Sequence, residues 1–151
     1  MKLPFLLRFA VLLVVLGLCR APLANAEQTP ADIPGAKILS AEQVKRMLDK
    51  GVPVVDTRVG NEYAESHIRG AINVPYKEHS RKAHDFDAKQ DSFDLAKLPA
   101  DKSKPIVFYC NAGECWKSYK ATTVALRAGY RDVYWFRGGF PEWKKMGFPV
   151  D

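Results

Sequence analysis

The sequence has few cysteines, and they do not form the framework of a disulfide-stapled protein. Only three occur among its 151 residues. Cys19 lies in an apolar segment near the start, which leaves Cys110 and Cys115 for the rest of the chain. A disulfide between two positions so close in sequence restricts little of the unfolded chain. A pair of this kind can still form a disulfide in an oxidising compartment.

The sequence also lacks a strongly basic surface pattern. Three of its 23 basic residues lie in the first 26 positions, so the remainder carries 20 basic and 17 acidic residues and a net charge of +3. No basic run is interleaved with aromatic residues, so no nucleic-acid partner is predicted. There is no internal repeat and no low-complexity tract.

The start of the chain has the layout of a secretory signal peptide. Lys2 and Arg8 precede an apolar run from Phe9 to Leu18, which is too short to span a bilayer comfortably. Ala24-Asn25-Ala26 then gives a small-x-small cleavage pattern. We therefore expect residues 1–26 to be a signal peptide, cleaved after Ala26. A retained membrane anchor or a lipoprotein modified at Cys19 is the alternative.

The remaining residues have the size of one domain with one core. Residues 27–36 contain two prolines and a glycine, and are predicted to form a flexible leader to a domain over residues 37–150. Strand and helix patterns alternate along that domain, which indicates an α/β fold with a parallel sheet covered on both faces. The predicted strands are 38–39, 52–56, 71–74, 105–109 and 133–136, and the predicted helices are 41–49, 61–66, 117–127 and 140–146. Residues 76–100 are expected to be irregular, with one or two helical turns.

Cys110 lies at a position where α/β folds of this kind commonly have their ligand-binding or catalytic site. It ends the most apolar strand, Pro105–Tyr109, which we expect at the centre of the sheet. Ligands bind beyond the carboxyl ends of central parallel strands. Backbone N–H groups of the following loop and the N-terminus of the next helix can stabilise an anion. The pattern therefore predicts a lowered pKa for the Cys110 thiol.

Several segments, taken in order, resemble the single-domain rhodaneses of the sulfurtransferase family. The resemblance extends from about Lys37 to Val150, nearly the whole predicted domain. The matching segments are Val54-Val55-Asp56-Thr57-Arg58, Glu62-Tyr63, His67 to Pro75, Ile106 to Gly113, Gly129-Tyr130, Val133-Tyr134 and Arg137-Gly138-Gly139-Phe140-Pro141-Glu142-Trp143.

This resemblance implies a fold and a reaction. The fold is a rhodanese-like five-stranded parallel sheet with helices on both faces. The cysteine, Cys110 here, takes a sulfane sulfur from thiosulfate, a polysulfide or a persulfide and becomes a persulfide, from which cyanide or a thiol removes the sulfur. The resemblance implies no cofactor and no metal.

The resemblance also assigns roles to the residues around Cys110. Asp56 and Arg58 would brace the fold, with Arg58 paired to Glu62, and His67 would belong to the scaffold. The substrate would bind in the loop Asn111, Ala112, Gly113, Glu114, Cys115, Trp116 and Lys117.

The loop departs from the common family pattern. Many rhodaneses have an arginine five residues after the cysteine, where this chain has Cys115. Lys117 could replace it as a point charge but not as a bidentate fork, which leaves the sulfur donor open. Asn111-Ala112-Gly113 is similar to the loop of small exported rhodaneses, which agrees with a periplasmic location. Cys115-Trp116 is similar to accessory proteins of periplasmic quinoprotein oxidation pathways, although those usually have Cys-x-x-Cys-Trp.

The second thiol keeps other functions open. Cys115 could resolve a persulfide on Cys110, and the pair could cycle as a thiol–disulfide redox module. Two thiolates also suit a soft ion such as Cu(I), so an accessory sulfur- or metal-handling module is a further alternative. The spacing is not that of a zinc site, no histidine is near, and no histidine follows Cys115 as haem attachment requires. The predicted partners are a small sulfur-donor anion and a thiol or cyanide acceptor. A periplasmic redox or quinoprotein-pathway protein is a further candidate partner. The protein is expected to be a monomer.

Overall fold

A computed structural model describes residues 28–151. The predicted signal peptide, residues 1–26, lies outside the described residues. Within residues 28–151, no helix is both long enough and apolar enough to cross a membrane.

The domain is built on one parallel sheet of five strands, and the predicted sheet is confirmed. The spatial order of the strands is β1-β5-β4-β2-β3, with every neighbouring pair parallel. The central strand is β4, which is the most apolar segment and is buried on both faces, as predicted from its composition. The strands are β1 (Ala36–Ile38), β2 (Val54–Asp56), β3 (Ile72–Asn73), β4 (Pro105–Tyr109) and β5 (Asp132–Phe136).

Four helices accompany the strands, close to their predicted positions, and the last of them follows the final strand. The first begins after Ser40, whose side chain accepts from the backbone of Gln43 while the Gln43 side chain accepts from the backbone of Ser40. This capping box fixes the start of that helix at the predicted residue. The helices are α1 (Ala41–Asp49), α2 (Gly60–Glu65), α3 (Trp116–Arg127) and α4 (Gly139–Lys145).

Alternate residues of the central strand enter two separate hydrophobic cores. Ile106 and Phe108 pack with residues of α3, such as Tyr119, on one face of the sheet. Val107 and Tyr109 pack on the other face with residues of α1 and α4. Because side chains alternate along a strand, this division confirms that helices cover both faces of the sheet.

The segment between β3 and β4 has little regular structure, as expected. It contains two short 3₁₀ turns, Ala88–Gln90 and Leu95–Lys97, each begun by an aspartate side chain that accepts from the backbone two residues on. Phe86 and Leu98 are buried in the core on the α3 side. The segment is therefore a packed cover for that face of the sheet.

The structure corrects the prediction that the residues before the domain form a flexible leader. Residues 28–35 pack against the domain, and Thr29 and Ile33 are each only 3% exposed. Ile33 enters the core beside α3, and Thr29 bonds to the loop that follows β4. We call residues 28–35 the N-terminal strap. The prolines and the glycine of the strap suggested flexibility. Its one large apolar side chain, that of Ile33, nevertheless packs into the hydrophobic core.

Candidate active site

The predicted loop leaves the centre of the sheet at Cys110 and ends where α3 begins. Its path needs a sharp turn, and Ala112 adopts the left-handed conformation with φ +53°. The backbone N–H of Cys115 closes that turn by donating to the Ala112 carbonyl at 3.2 Å. On the other side, the N–H of Phe140 donates to the Cys110 carbonyl at 2.9 Å. The start of α4 therefore holds the beginning of the loop in place.

Cys110 is buried beneath the loop, with 1% of its surface exposed. Its sulfur lies 2.9 Å from the Ser118 hydroxyl oxygen and 3.2 Å from the Cys115 carbonyl oxygen, and it accepts from the Ser118 N–H at 3.3 Å. Trp135 fixes that hydroxyl by donating from Nε1 to it at 3.0 Å. Sequence reasoning missed Ser118 and Trp135 as neighbours of the thiol, since they come from a helix and a strand distant in the chain.

The expectation that Cys110 is the low-pKa thiol is wrong. Burial raises its pKa well above the ordinary value, and its hydrogen bond to Cys115 raises it further. The bonds from Ser118 act in the opposite direction but are outweighed. Cys110 is therefore a protonated thiol at neutral pH.

Cys115 is the thiol that the loop activates. It is only partly buried and occupies the N-cap of α3. The Cys110 side chain and the backbone N–H groups of Asn111 and Lys117 lower its pKa to about 6. The anion-stabilising N–H groups predicted for this loop exist, but two of them act on the second cysteine.

This difference between the two cysteines predicts an order of alkylation. Cys115 should react with iodoacetamide at a rate that rises through a midpoint near its pKa of about 6, because the thiolate is the nucleophile. Cys110 should stay unlabelled at neutral pH. Peptide mass mapping after brief exposure across a pH series measures both. Labelling of Cys110 before Cys115 would contradict this assignment.

The mouth of the site is an open cavity of about 280 Å³ that reaches Cys115. Two lysines and two glutamates line it, and Lys117 Nζ lies 3.6 Å from Glu78 Oε2. The charges at the mouth are therefore balanced. The lining residues are Glu78, Lys82, Asn111, Glu114, Cys115, Trp116 and Lys117, and Cys110 is not among them.

A buried lysine anchors one wall of this cavity. Lys120 is fully buried in α3, and its Nζ lies 2.9 Å from the Ser80 hydroxyl, 3.3 Å from a Glu78 carboxylate oxygen and 3.5 Å from an Asp91 carboxylate oxygen. The cluster ties the irregular segment to α3 and places Glu78 at the mouth. No local pattern predicted this cluster, because a lysine within a helical pattern is usually a solvent-facing residue.

The N-terminal strap closes the other side of the loop. Thr29 donates from its backbone N–H and its hydroxyl to the Gly113 carbonyl, at 2.8 and 2.7 Å. Arg137, from the turn after β5, donates to the carbonyls of Thr29 and Pro30 at 3.0 and 3.2 Å. Gly113 is pressed so near that guanidinium that a Cβ there would lie 3.0 Å from it.

Asp56 and Arg58 lie at the carboxyl end of β2, next to the loop but not in its cavity. They form a buried ion pair, in which the Arg58 Nε donates to both Asp56 oxygens at 3.0 Å. The Tyr109 hydroxyl also donates to Asp56, at 2.6 Å. The expected pair between Arg58 and Glu62 is wrong, because the Glu62 carboxylate instead accepts from the Asn111 side chain.

His67 lies apart from the thiol chemistry. Its ring stacks on Tyr63 with the ring centroids 3.7 Å apart, and its Nδ1 lies 2.9 Å from the Tyr63 carbonyl oxygen. No group of three or more histidine, cysteine, aspartate or glutamate side chains suited to a metal ion was found in residues 28–151.

Comparison with known proteins identifies related sulfurtransferases. The chain is 29% identical over 126 residues to the thiosulfate:glutathione sulfurtransferase of Saccharomyces cerevisiae, covering 82% of this chain and 88% of that protein. It is 34% identical over 104 residues to thiosulfate sulfurtransferase 16, chloroplastic, of Arabidopsis thaliana, covering 69% and 83%. It is also 34% identical over 132 residues to the HTH-type transcriptional regulator Rv0324 of Mycobacterium tuberculosis, covering 85% of this chain but only 52% of the regulator. The chain thus spans about half the length of that relative.

The comparison with solved structures gives the same fold. The Alr3790 protein from Anabaena sp. superposes with a TM-score of 0.56 at 25% identity, over 75% of this chain and 90% of that one. The thiosulfate sulfurtransferase from Pseudomonas aeruginosa superposes with a TM-score of 0.58 at 23% identity, over 78% of this chain and 20% of that one. The model of the family described as Rhodanese-like domain matches residues 40–146. The chain therefore belongs to the rhodanese-like domain family.

Proposed function

We propose that this chain is a periplasmic sulfurtransferase that moves sulfane sulfur from a donor to a thiophilic acceptor through a persulfide on Cys110. The position of Cys110 carries the proposal. It follows the central strand and begins the loop that leads into α3, within the region that matches the family. The two sulfurtransferases among the relatives support the same class of reaction.

The surroundings of Cys110 suit a sulfur carrier. Forming the persulfide requires a bond between a cysteine sulfur and the sulfane sulfur, while the donor departs with the electron pair of the broken bond. Ser118 supplies a backbone N–H and a hydroxyl at the Cys110 sulfur. Burial shelters the product from other oxidants until an acceptor thiol or cyanide takes the outer sulfur.

The mouth of the site favours a donor of low charge. Thiosulfate carries two negative charges, and a cavity selects for such an anion when its lining is positive. Here Lys117 is already paired with Glu78, and Glu114 and Lys82 also balance each other in sign. We therefore propose a persulfide, whose S–SH group carries at most one negative charge, as the donor in preference to thiosulfate.

Intact-mass measurement tests the function. Treating the reduced protein with glutathione persulfide should add one sulfur, about 32 Da, and cyanide should remove it again as thiocyanate. Peptide mapping should place the added sulfur on Cys110 at the end of the reaction, and Cys110→Ser should remove that label. Thiosulfate should load the protein more slowly than the persulfide at equal concentration. If thiosulfate, polysulfide and glutathione persulfide all leave both cysteines unmodified, the proposal is wrong.

The periplasmic location depends on residues 1–26. Their basic start, short apolar run and small-x-small end support export. Protein recovered from the periplasm of an expressing bacterium should have the mass of a chain that begins at Glu27. Recovery only from the cytoplasm, with residues 1–26 still attached, would refute the location without affecting the chemistry.

A second function is favoured by the contact between the thiols. Cys110 and Cys115 are both free, and the Cys110 sulfur lies 3.2 Å from the Cys115 carbonyl oxygen. Such a pair could cycle as a thiol–disulfide redox module. Oxidation by a disulfide reagent should then give a protein that is two hydrogens lighter and has gained no sulfur. Neither Cys110 nor Cys115 should then be available to alkylation. The oxidised form should in turn oxidise a substrate dithiol.

A further inference from the structure

The two cysteines of the loop differ in what can reach them. Cys115 lines the open cavity at the mouth, whereas Cys110 is 1% exposed and lines none of it. A donor that enters the cavity therefore meets Cys115 first. Cys110 lies behind it, with its sulfur 3.2 Å from the Cys115 carbonyl oxygen.

The loop also holds Cys115 in the form that attacks. The Cys110 side chain and the backbone N–H groups of Asn111 and Lys117 lower the pKa of its thiol. It lies at the N-terminus of α3, a helix of 12 residues with no acidic side chain in its first turn. Each of these contacts stabilises a negative charge on that sulfur.

We propose that Cys115 is the residue that first takes the sulfane sulfur from the donor, and that it passes this sulfur inward to Cys110. The inference rests on the proposed function and adds a step to it. Cys115, in this scheme, is a catalytic nucleophile that stands where other family members commonly have an arginine. Cys110 remains the cysteine that holds the sulfur before the acceptor takes it.

The first step consumes a persulfide donor, R–S–SH. The Cys115 thiolate attacks the outer sulfur, the S–S bond of the donor breaks, and R–S⁻ leaves with the electron pair. The product is a persulfide on Cys115, Cys115–S–SH. The protein gains one sulfur and one hydrogen, the donor loses both, and the negative charge moves from Cys115 to the departing thiolate.

The second step moves the sulfur between the cysteines. The Cys110 sulfur attacks the outer sulfur of Cys115–S–SH, the S–S bond to Cys115 breaks, and the Cys115 sulfur leaves with the electron pair. The Cys110 thiol hydrogen passes to the departing Cys115 sulfur. The products are Cys110–S–SH and Cys115–SH, so the step needs no external oxidant or reductant.

The chemistry of the pair gives this transfer a direction. A thiol of lower pKa is the better leaving group in exchange between sulfurs. The pKa of Cys115 is lowered to about 6 and that of Cys110 is raised, so Cys115 departs more readily from the shared sulfur. The sulfur therefore comes to rest on the buried cysteine, away from solvent.

Rapid mixing with one equivalent of glutathione persulfide tests the order of events. After acid quench, alkylation and peptide mapping, wild-type protein should show the added sulfur on Cys115 first and on Cys110 later. In Cys110→Ser the sulfur should accumulate on Cys115, because no second cysteine is present to take it. In Cys115→Ser and Cys115→Ala, loading of Cys110 should be at least about 100-fold slower, because the accessible thiolate is gone. Circular dichroism of each variant checks that the fold is retained.

Other outcomes overturn the inference. If both Cys115 variants load Cys110 as fast as wild type, Cys115 is not on the path, although the proposed function stands. If wild type releases one equivalent of hydrosulfide and becomes two hydrogens lighter, the pair forms a disulfide and the inward transfer is refuted. If neither cysteine takes sulfur in any of the proteins, the proposed function fails as well.

Discussion

Replacing Asp56 by alanine should lower the free energy of unfolding by about 3–5 kcal/mol, because it leaves a buried cation without its partner. Arg58 is 3% exposed and donates to Asp56 from its backbone N–H and its guanidinium. The buried Tyr109 hydroxyl loses its acceptor in the same substitution. Equilibrium unfolding in guanidinium chloride measures the loss.

An exposed ion pair provides the control for Asp56. Asp49 pairs with Lys45 one turn earlier on α1, at 2.6 Å, but its side chain is 57% exposed. Asp49→Ala should cost no more than about 0.5 kcal/mol, because water screens the pair and replaces it. Equal losses from the two substitutions would contradict a special role for burial at Asp56.

Replacing Gly139 by alanine should disrupt the loop that carries the cysteines. Gly139 has φ +59°, and an added Cβ would lie 2.2 Å from the Cys110 carbonyl oxygen and 2.7 Å from the Ala112 nitrogen. Backbone lies on both sides of this contact, so the loop has to move. We expect a loss of about 2–5 kcal/mol in unfolding free energy, from the left-handed backbone and the overpacking together. Persulfide formation should slow by about 100-fold, because the reacting groups are displaced.

Gly147 provides a control that separates the cost of the left-handed backbone from the cost of overpacking. It has a similar φ of +69°, but an added Cβ would meet nothing within 4 Å. Gly147→Ala should therefore cost only the left-handed backbone, about 1–2 kcal/mol, and should leave sulfur uptake at the wild-type rate. If Gly139→Ala takes up sulfur as fast as Gly147→Ala, the contact with Cys110 does not position the loop.

Much of the fold could be predicted because local patterns and tertiary structure agree. The capping residues Ser40 and Gln43 mark the start of α1 to the residue. The unbroken apolar run of β4 identifies the central strand, since only a strand covered on both faces has no polar side. The predicted strand ends were less accurate, and the structure begins β2 at Val54 rather than Val52.

The roles of the two cysteines could not be predicted, because they depend on where a few N–H groups point. Ala112 takes a positive φ that its residue type gives no reason to expect. Its turn precedes Cys115, whose pKa is lowered by the N–H groups of Asn111 and Lys117. Spacing alone placed both cysteines on one loop, but it could not tell which of them faces the cavity.

The contacts between distant segments also could not be predicted from local sequence patterns. The N-terminal strap looked flexible by composition, yet Thr29 bonds to Gly113, which lies 84 residues along the chain. Lys120 looked like a surface residue, yet it is enclosed by a segment with no periodic signal of its own. Each of these interactions depends on the complete tertiary structure.

The pairing of the first strand with the last has a consequence for how the chain folds. Ala36 lies opposite Val133 in the sheet, so β1 cannot find its partner until the chain has been synthesised past Val133. Closing so long a loop costs entropy before any contact compensates for it, and folds rich in such distant pairings reach the native state slowly. The strap precedes β1 and depends on the same late event. Arg137, which holds the strap beside Gly113, is synthesised later still, so we expect this side of the loop to close late in folding.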